Sequence, residues 1–106
     1  MQLQISSKHM DVGPSIREFA RKQAAKFNKL GKHVIGGRIF LETVSKKHND
    51  PKANTVTYEV DIPGKNVIVQ ARAANLYDAI TAATNSATRQ VRKVLEKRRT
   101  KARREE

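Results

Sequence analysis

Thr55 to Ala73 reads TVTYEVDIPGKNVIVQARA. Val56, Tyr58, Val60 and Ile62 alternate with Thr55, Thr57, Glu59 and Asp61, the period of two that puts one side of a strand in a core and the other in water. Pro63-Gly64 follows. Pro sets the first central φ of a type II turn and Gly supplies the positive φ at the second. Val67, Val69, Ala71 and Ala73 then resume the alternation. The stretch is therefore an antiparallel hairpin with one apolar face, and that face needs covering.

The flanking sequence supplies the cover. Asn75 is a good helix N-cap, and Asp78 favours the positive end of the helix dipole. Leu76, Ile80, Ala83, Ala87, Val91, Val94 and Leu95 form one helical stripe, which predicts a helix from there to about residue 99. Upstream, SKKHNDPKAN (45–54) reads as a loop. Residues 34–45 hold another β-branched run, with Ile39 and Leu41 on one face and Phe40 and Val44 on the other. Before it, Ile16, Phe19, Gln23, Phe27 and Leu30 recur at helical steps after Gly13-Pro14, so residues 14–30 form an amphipathic helix stopped by Gly31. Leu3 and Ile5 alternate with Gln2, Gln4 and Ser6 as a first strand.

The predicted order is β-α-β-β-β-α, an α+β fold. The first two strands are expected parallel across the helix and the later ones antiparallel across short links. A four-stranded mixed sheet with both helices on one face and the other face wet uses every apolar stripe. Residues 1–99 read as a single domain and 100–106 as a short basic tail that frays.

The chain has 106 residues, 38% hydrophobic and 30% charged, with a net charge of +12. That length suits one modest core. That charge favours polyanionic partners and opposes self-association, so a monomer is expected when free. There is no cysteine, hence no disulfide framework, thiolate metal site or cysteine nucleophile. No apolar run approaches a membrane span and the N-terminus has no signal-like stretch. The reading is a soluble, cytoplasmic protein.

The cations are grouped. With Arg89 at zero and about 100° per residue, Arg92, Lys93 and Lys97 lie on the side opposite Ile80, Val91 and Val94. On the first helix Arg21, Lys22, Lys26 and Lys29, with Arg17, lie opposite or beside the stripe of Phe19 and Gln23. If the helices share a side of the sheet, these cations form one surface. Faces that only solvate usually mix both signs. Few aromatic rings are left for the surface, Phe40 and Tyr77 being the candidates, so stacking of single strands is poorly served. Phosphate contact by Lys and Arg on rigid helices suits the pattern better. A membrane-surface helix would carry bulkier apolar residues than the Ala and Val of the last helix.

Catalytic and metal chemistry lack a pattern. His9, His33 and His48 are widely spaced, and GKHVIGGR (31–38) matches no phosphate-binding loop. Glu42, Glu59 and Asp61 fall on or near the wet sheet face with nothing to single out a pair. No enzyme activity, cofactor, metal or small-molecule substrate is expected.

ISSKHMDVGPSIREF (5–19), VDIPGKNVIVQARA (60–73), NLYDAI (75–80) and RQVRKVLEK (89–97), in that order, resemble the ribosome hibernation factor family of protein Y and the short hibernation-promoting factors. The resemblance covers residues 1–99 and implies the same β-α-β-β-β-α fold. It implies binding to the small ribosomal subunit and its rRNA in the decoding cleft, where mRNA and tRNA sites are blocked during stress or stationary phase. By position it assigns rRNA contact to Arg21, Lys22, Lys26 and Lys29 of the first helix and Arg89, Arg92, Lys93 and Lys97 of the last. RRTKARREE (98–106) stands where relatives carry an acidic extension or a second domain, so the long form's dimerisation route is expected to be absent. Two other readings stay open. A double-stranded-RNA-binding module also places two helices on a sheet, but in the order α-β-β-β-α. A small α+β hydrolase would need a pair of acids or a liganded His.

Overall fold

The computed structural model describes residues 2–8, 12–43 and 53–105, with side chains for 3–8, 12–30, 34–43 and 53–99. His9, Val44, His48, most of the 45–54 loop and the His33 side chain lie outside the described residues.

The hairpin forms as its alternation dictates. Strands β3 (Asn54–Ile62) and β4 (Lys65–Ala73) pair antiparallel, with Tyr58 opposite Val69 and Val60 opposite Val67. Gly64 sits at φ 77° in the turn, where a Cβ would be strained. Strand β2 (Gly36–Thr43) pairs antiparallel with β3, and β1 (Gln2–Lys8) pairs parallel with β2. The sheet order is β1-β2-β3-β4.

Val56, Tyr58, Val60, Ile62, Ile39 and Leu41 are buried on the covered face. Helix α1 (Pro14–Ala24) packs on β1 and on α2 (Leu76–Glu105), which lies across β3 and β4. The helix surfaces in the core are largely small. Ala20, Ala24, Ala79, Ala83 and Ala87 are buried beside Ile80 and Val91, and small side chains let a helix axis approach its neighbours closely. Asn75 caps α2: its Oδ1 accepts from Asp78 N at 2.9 Å and its Nδ2 donates to Asp78 Oδ2 at 2.9 Å.

Both helices depart from expectation in length. The α-helix expected over 14–30 ends at Ala24 and continues as a 3-10 helix, Ala25–His33, which Val34 ends in extended backbone. The helical backbone thus passes Gly31. Helix α2 runs on to Glu105 rather than ending near residue 99, since residues 100–105 contain no Gly or Pro to stop it. From Leu76 to Arg98 the helix rises about 33 Å, close to the ~30 Å of a nine-residue strand. The last turns therefore project past the sheet.

The open face carries Arg38 between two acids. It donates to Asp61 Oδ1 at 2.8 Å, Asp61 Oδ2 at 3.0 Å and Glu59 Oε1 at 2.7 Å. These bonds hold the Arg38 guanidinium above its ordinary pKa. Two of the three acids weighed as a catalytic pair are thus engaged in a cross-strand ion-pair cluster. With Lys8, Glu42 and Arg72 on the same face by register, the positive and negative side chains there balance among the described residues.

Tyr58 provides a test of the core. Its ring is fully buried and its hydroxyl has no hydrogen-bond partner among the described residues. The neighbouring Thr84 donates to Ile80 O at 2.7 Å. Burial pushes the phenol from 10 up to about 12, with the Thr84 hydroxyl acting the other way. The folded value lies above the unfolded one. The associated stability is therefore whole below about pH 10 and is lost as pH rises towards about 12, on the order of 2–3 kcal/mol in all. Tyr58→Phe is expected to leave stability at pH 7 unchanged or raised by about 1 kcal/mol, because it removes an unsatisfied buried hydroxyl. Its alkaline decline is expected to be shallower. Melting curves of both proteins at pH 9 and pH 11.5, compared as a difference, test this.

Candidate nucleic-acid interface

The change of winding after Ala24 decides where the first-helix cations point. In a 3-10 helix residues three apart eclipse one another, so Lys26 and Lys29 line up along one edge. That edge faces α2, and Lys26 Nζ donates to Asn85 Oδ1 across the gap at 3.1 Å. On α2, Asn85, Arg89 and Arg92 follow at helical steps. Lys26, Lys29, Asn85, Thr88, Arg89 and Arg92 together line a groove of about 320 Å³. No acid lines it.

A second cleft continues from it. Lys29, Leu30, Pro63, Arg92, Leu95, Glu96, Arg98 and Arg99 enclose about 440 Å³. Lys29 and Arg92 belong to both, so the two make one trough between the 3-10 segment and the distal half of α2.

Of the eight cations assigned from sequence, Lys26, Lys29, Arg89 and Arg92 meet in this trough. The others lie elsewhere on the surface. Arg21 borders a separate hollow with Leu3, Ala24, Ala25 and Asn28, towards β1. Lys22 is exposed and pairs with Glu18 at 3.5 Å. Lys93 and Lys97 are exposed on α2 outside both linings.

The structure adds Asn85, Thr88, Arg98 and Arg99. Helical angle puts Asn85 and Arg99 within about 20° of Arg92, so the signal was available. Arg99, at the last position of the expected helix, was not among the residues assigned from sequence. Arg98 does lie on the sheet side of α2, as its angle indicates. It is nonetheless exposed, because at that point the helix has reached the β3–β4 turn, and its guanidinium stands 3.8 Å from where a Gly64 Cβ would be.

The two candidate surface rings do not form a platform. Tyr77 packs edge-on against Phe19, centroids 4.9 Å apart. Phe40 is on the sheet face away from the helices. No described helix is long and apolar enough to cross a membrane.

A trough lined by hydrogen-bond donors that carry positive charge can hold phosphate oxygens on several sides. With a charge-balanced face behind it, this defines a small α+β module suited to a polyanion. The chain belongs to the family described as Sigma 54 modulation protein / S30EA ribosomal protein, whose model matches residues 3–99. It is 30% identical over 97 residues to the ribosome-associated factor Y of Haemophilus influenzae, covering 92% of this chain and 85% of that protein. It is 26% identical over 90 residues to the ribosome hibernation promotion factor of Deinococcus radiodurans, covering 85% of this chain and 47% of that protein. The chain thus spans about half the length of the latter. Two solved structures share the fold. A ribosomal subunit interface protein from Coxiella burnetii has a TM-score of 0.78 at 20% identity, covering 91% of this chain and 99% of that one. The N-terminal domain of Thermus thermophilus Protein Y has a TM-score of 0.77 at 23% identity, covering 89% and 99%.

Proposed function

We propose that this protein is a ribosome hibernation factor. It binds rRNA of the small subunit in the decoding cleft through the basic trough, and it occupies space needed by mRNA and tRNA. The observation that carries the reading is the convergence of Lys26, Lys29, Arg89 and Arg92 from two separate elements on one acid-free groove. Family membership and the names of the two relatives supply the ribosome as the polyanion. The protein acts by binding and exclusion, in the cytoplasm, and is a monomer when free.

Occupancy of the decoding cleft has a direct consequence. A rigid domain there cannot share the space with tRNA. The protein is expected to sediment with small subunits, to inhibit translation in an extract, and to be displaced by prebound tRNA. Independent binding of protein and tRNA would remove the site assignment even with RNA binding intact. A free RNA duplex is expected to bind more weakly than the subunit; equal affinity would favour a general double-stranded-RNA module.

Salt provides a second check. Each phosphate contact releases counterions, with a logarithmic slope of about −0.7 to −0.9 per contact on simple nucleic acids. Four groove cations imply a slope of about −3 or steeper. Affinity for the small subunit, measured by pelleting over a salt series, is expected to fall accordingly. A flat series contradicts phosphate contact.

A further inference from the structure

The two halves of the trough differ in chemistry. The half bounded by Asn85, Thr88 and Arg89 offers only polar and cationic groups. The other half has an apolar floor of Leu30, Pro63 and Leu95 under a rim of Arg92, Arg98 and Arg99. An apolar floor does nothing for a phosphate. It suits a flat heterocycle: unpaired RNA bases stack on aromatic rings or on the planes of Arg guanidinium groups, and extruded bases are also held between apolar side chains. The Arg98 guanidinium lies over the Pro63-Gly64 turn at the edge of this floor.

Glu96 is the second observation. It is the one acid in the cleft, and it has no ion-pair partner among the described residues although three arginines share the lining. A carboxylate repels phosphate, so a site for phosphate alone is worse for having it. A ligand edge that presents two adjacent donors turns it to advantage. Guanine does so with N1–H and the N2 amino group, which match the two oxygens of one carboxylate. Uracil offers a single N–H between two carbonyls, which would face the carboxylate.

We infer that the apolar-floored half of the trough receives one unpaired base of an RNA strand, with guanine preferred through Glu96, while the adjoining half holds the phosphates of that strand. This rests on the RNA-binding reading above and specifies which feature of the RNA is read. Lys29 and Arg92 stand at the junction of the two halves, where the sugar–phosphate link would pass.

The test uses the full chain and labelled RNA hairpins matched in length and charge, at one moderate salt concentration. One hairpin is fully paired, and the others carry a single bulged guanosine, a bulged uridine or a bulged abasic residue. The bulged guanosine is expected to bind about tenfold tighter than the abasic bulge, the low end of the range for a base stacked on an aromatic ring, since Leu, Pro and Arg line this cleft. Uridine is expected to fall between them. Glu96→Gln, an exposed change, is expected to bring guanosine and uridine to within about twofold of one another. Free GMP is expected not to compete at low millimolar concentration. Equal affinity for guanosine and abasic bulges overturns the base-binding inference, and if all hairpins still bind with a steep salt dependence, the phosphate reading survives it. Loss of salt-dependent binding to every hairpin overturns both. Competition by GMP as strong as by the bulged hairpin assigns the cleft to a free nucleotide and overturns its assignment to RNA.

Discussion

Replacing Arg89, Arg92 and Lys93 together by Glu is expected to abolish ribosome binding with the fold intact. All three side chains are exposed on α2, while Ile80, Ala83, Ala87 and Val91 hold the helix to the sheet from its other side. The circular dichroism spectrum should therefore not change. Each reversal moves two charges, taking the net charge from +12 to +6. Arg89 and Arg92 also face Lys26 and Lys29 across the groove, so their reversal converts an acid-free site into a mixed one. A charge-assisted hydrogen bond contributes about 1.5–3 kcal/mol, so losing the two of Arg89 and Arg92 implies a drop on the order of a hundredfold or more. The single variants separate the trough from a diffuse basic face. Arg92 lines both halves of the trough and Lys93 neither. Arg92→Glu should accordingly cost much more affinity than Lys93→Glu in ribosome pelleting at one salt concentration. Equal losses would mean that the whole outer face of α2, rather than the trough, meets the partner.

Phe27→Ala is expected to produce the largest loss of stability. Phe27 is fully buried, its ring 5.5 Å from that of Tyr58. Removing a buried Phe costs about 3–5 kcal/mol from lost transfer energy and the cavity left behind. For a domain of this size that lowers the melting temperature by at least about 12 °C. The effect should reach function, because Phe27 anchors the 3-10 segment that presents Lys26 and Lys29. Phe40→Ala is the control: that ring stands on the open sheet face, and its loss should change stability by about 0.5 kcal/mol or less. Denaturant midpoints of both variants settle the comparison.

The parts of the fold legible in the sequence were those governed by local rules. Val56, Tyr58, Val60 and Ile62 declared the covered face by alternation, Gly64 declared the turn, and Asn75 with Asp78 declared the start of α2. Each depends on neighbours a few residues away. The site was legible only in part. Lys26 and Lys29 were recognised as basic, but their alignment depends on a change of helical winding at Ala25 that no residue there announces. Arg21 and Lys22 have the same charge and helix. One turns towards β1 and the other pairs with Glu18, so a shared label did not give a shared location. Arg98 lies on the sheet side that its helical angle gives, but the angle does not say where the sheet ends, so its exposure beside the β3–β4 turn was not legible. The Arg38 cluster was hidden for a related reason. Its members come from two strands, and only the β2–β3 register brings Arg38 opposite Glu59 and near Asp61.

Among the described residues, the balanced sheet face and the one-sided trough separate charge across the molecule. In the field of a nucleic acid such a body turns before it touches, so most encounters begin with the helices leading. Steering of this kind raises the rate of productive collision, and the gain shrinks as ions shorten the range of the field. The ion pairs around Arg38 contribute by keeping the rear neutral. Were Glu59 and Asp61 absent, Arg38 would draw the sheet side forward as well, and a larger share of the approaches would be wasted. On the proposed reading, capture speed is set partly by residues that face away from the trough.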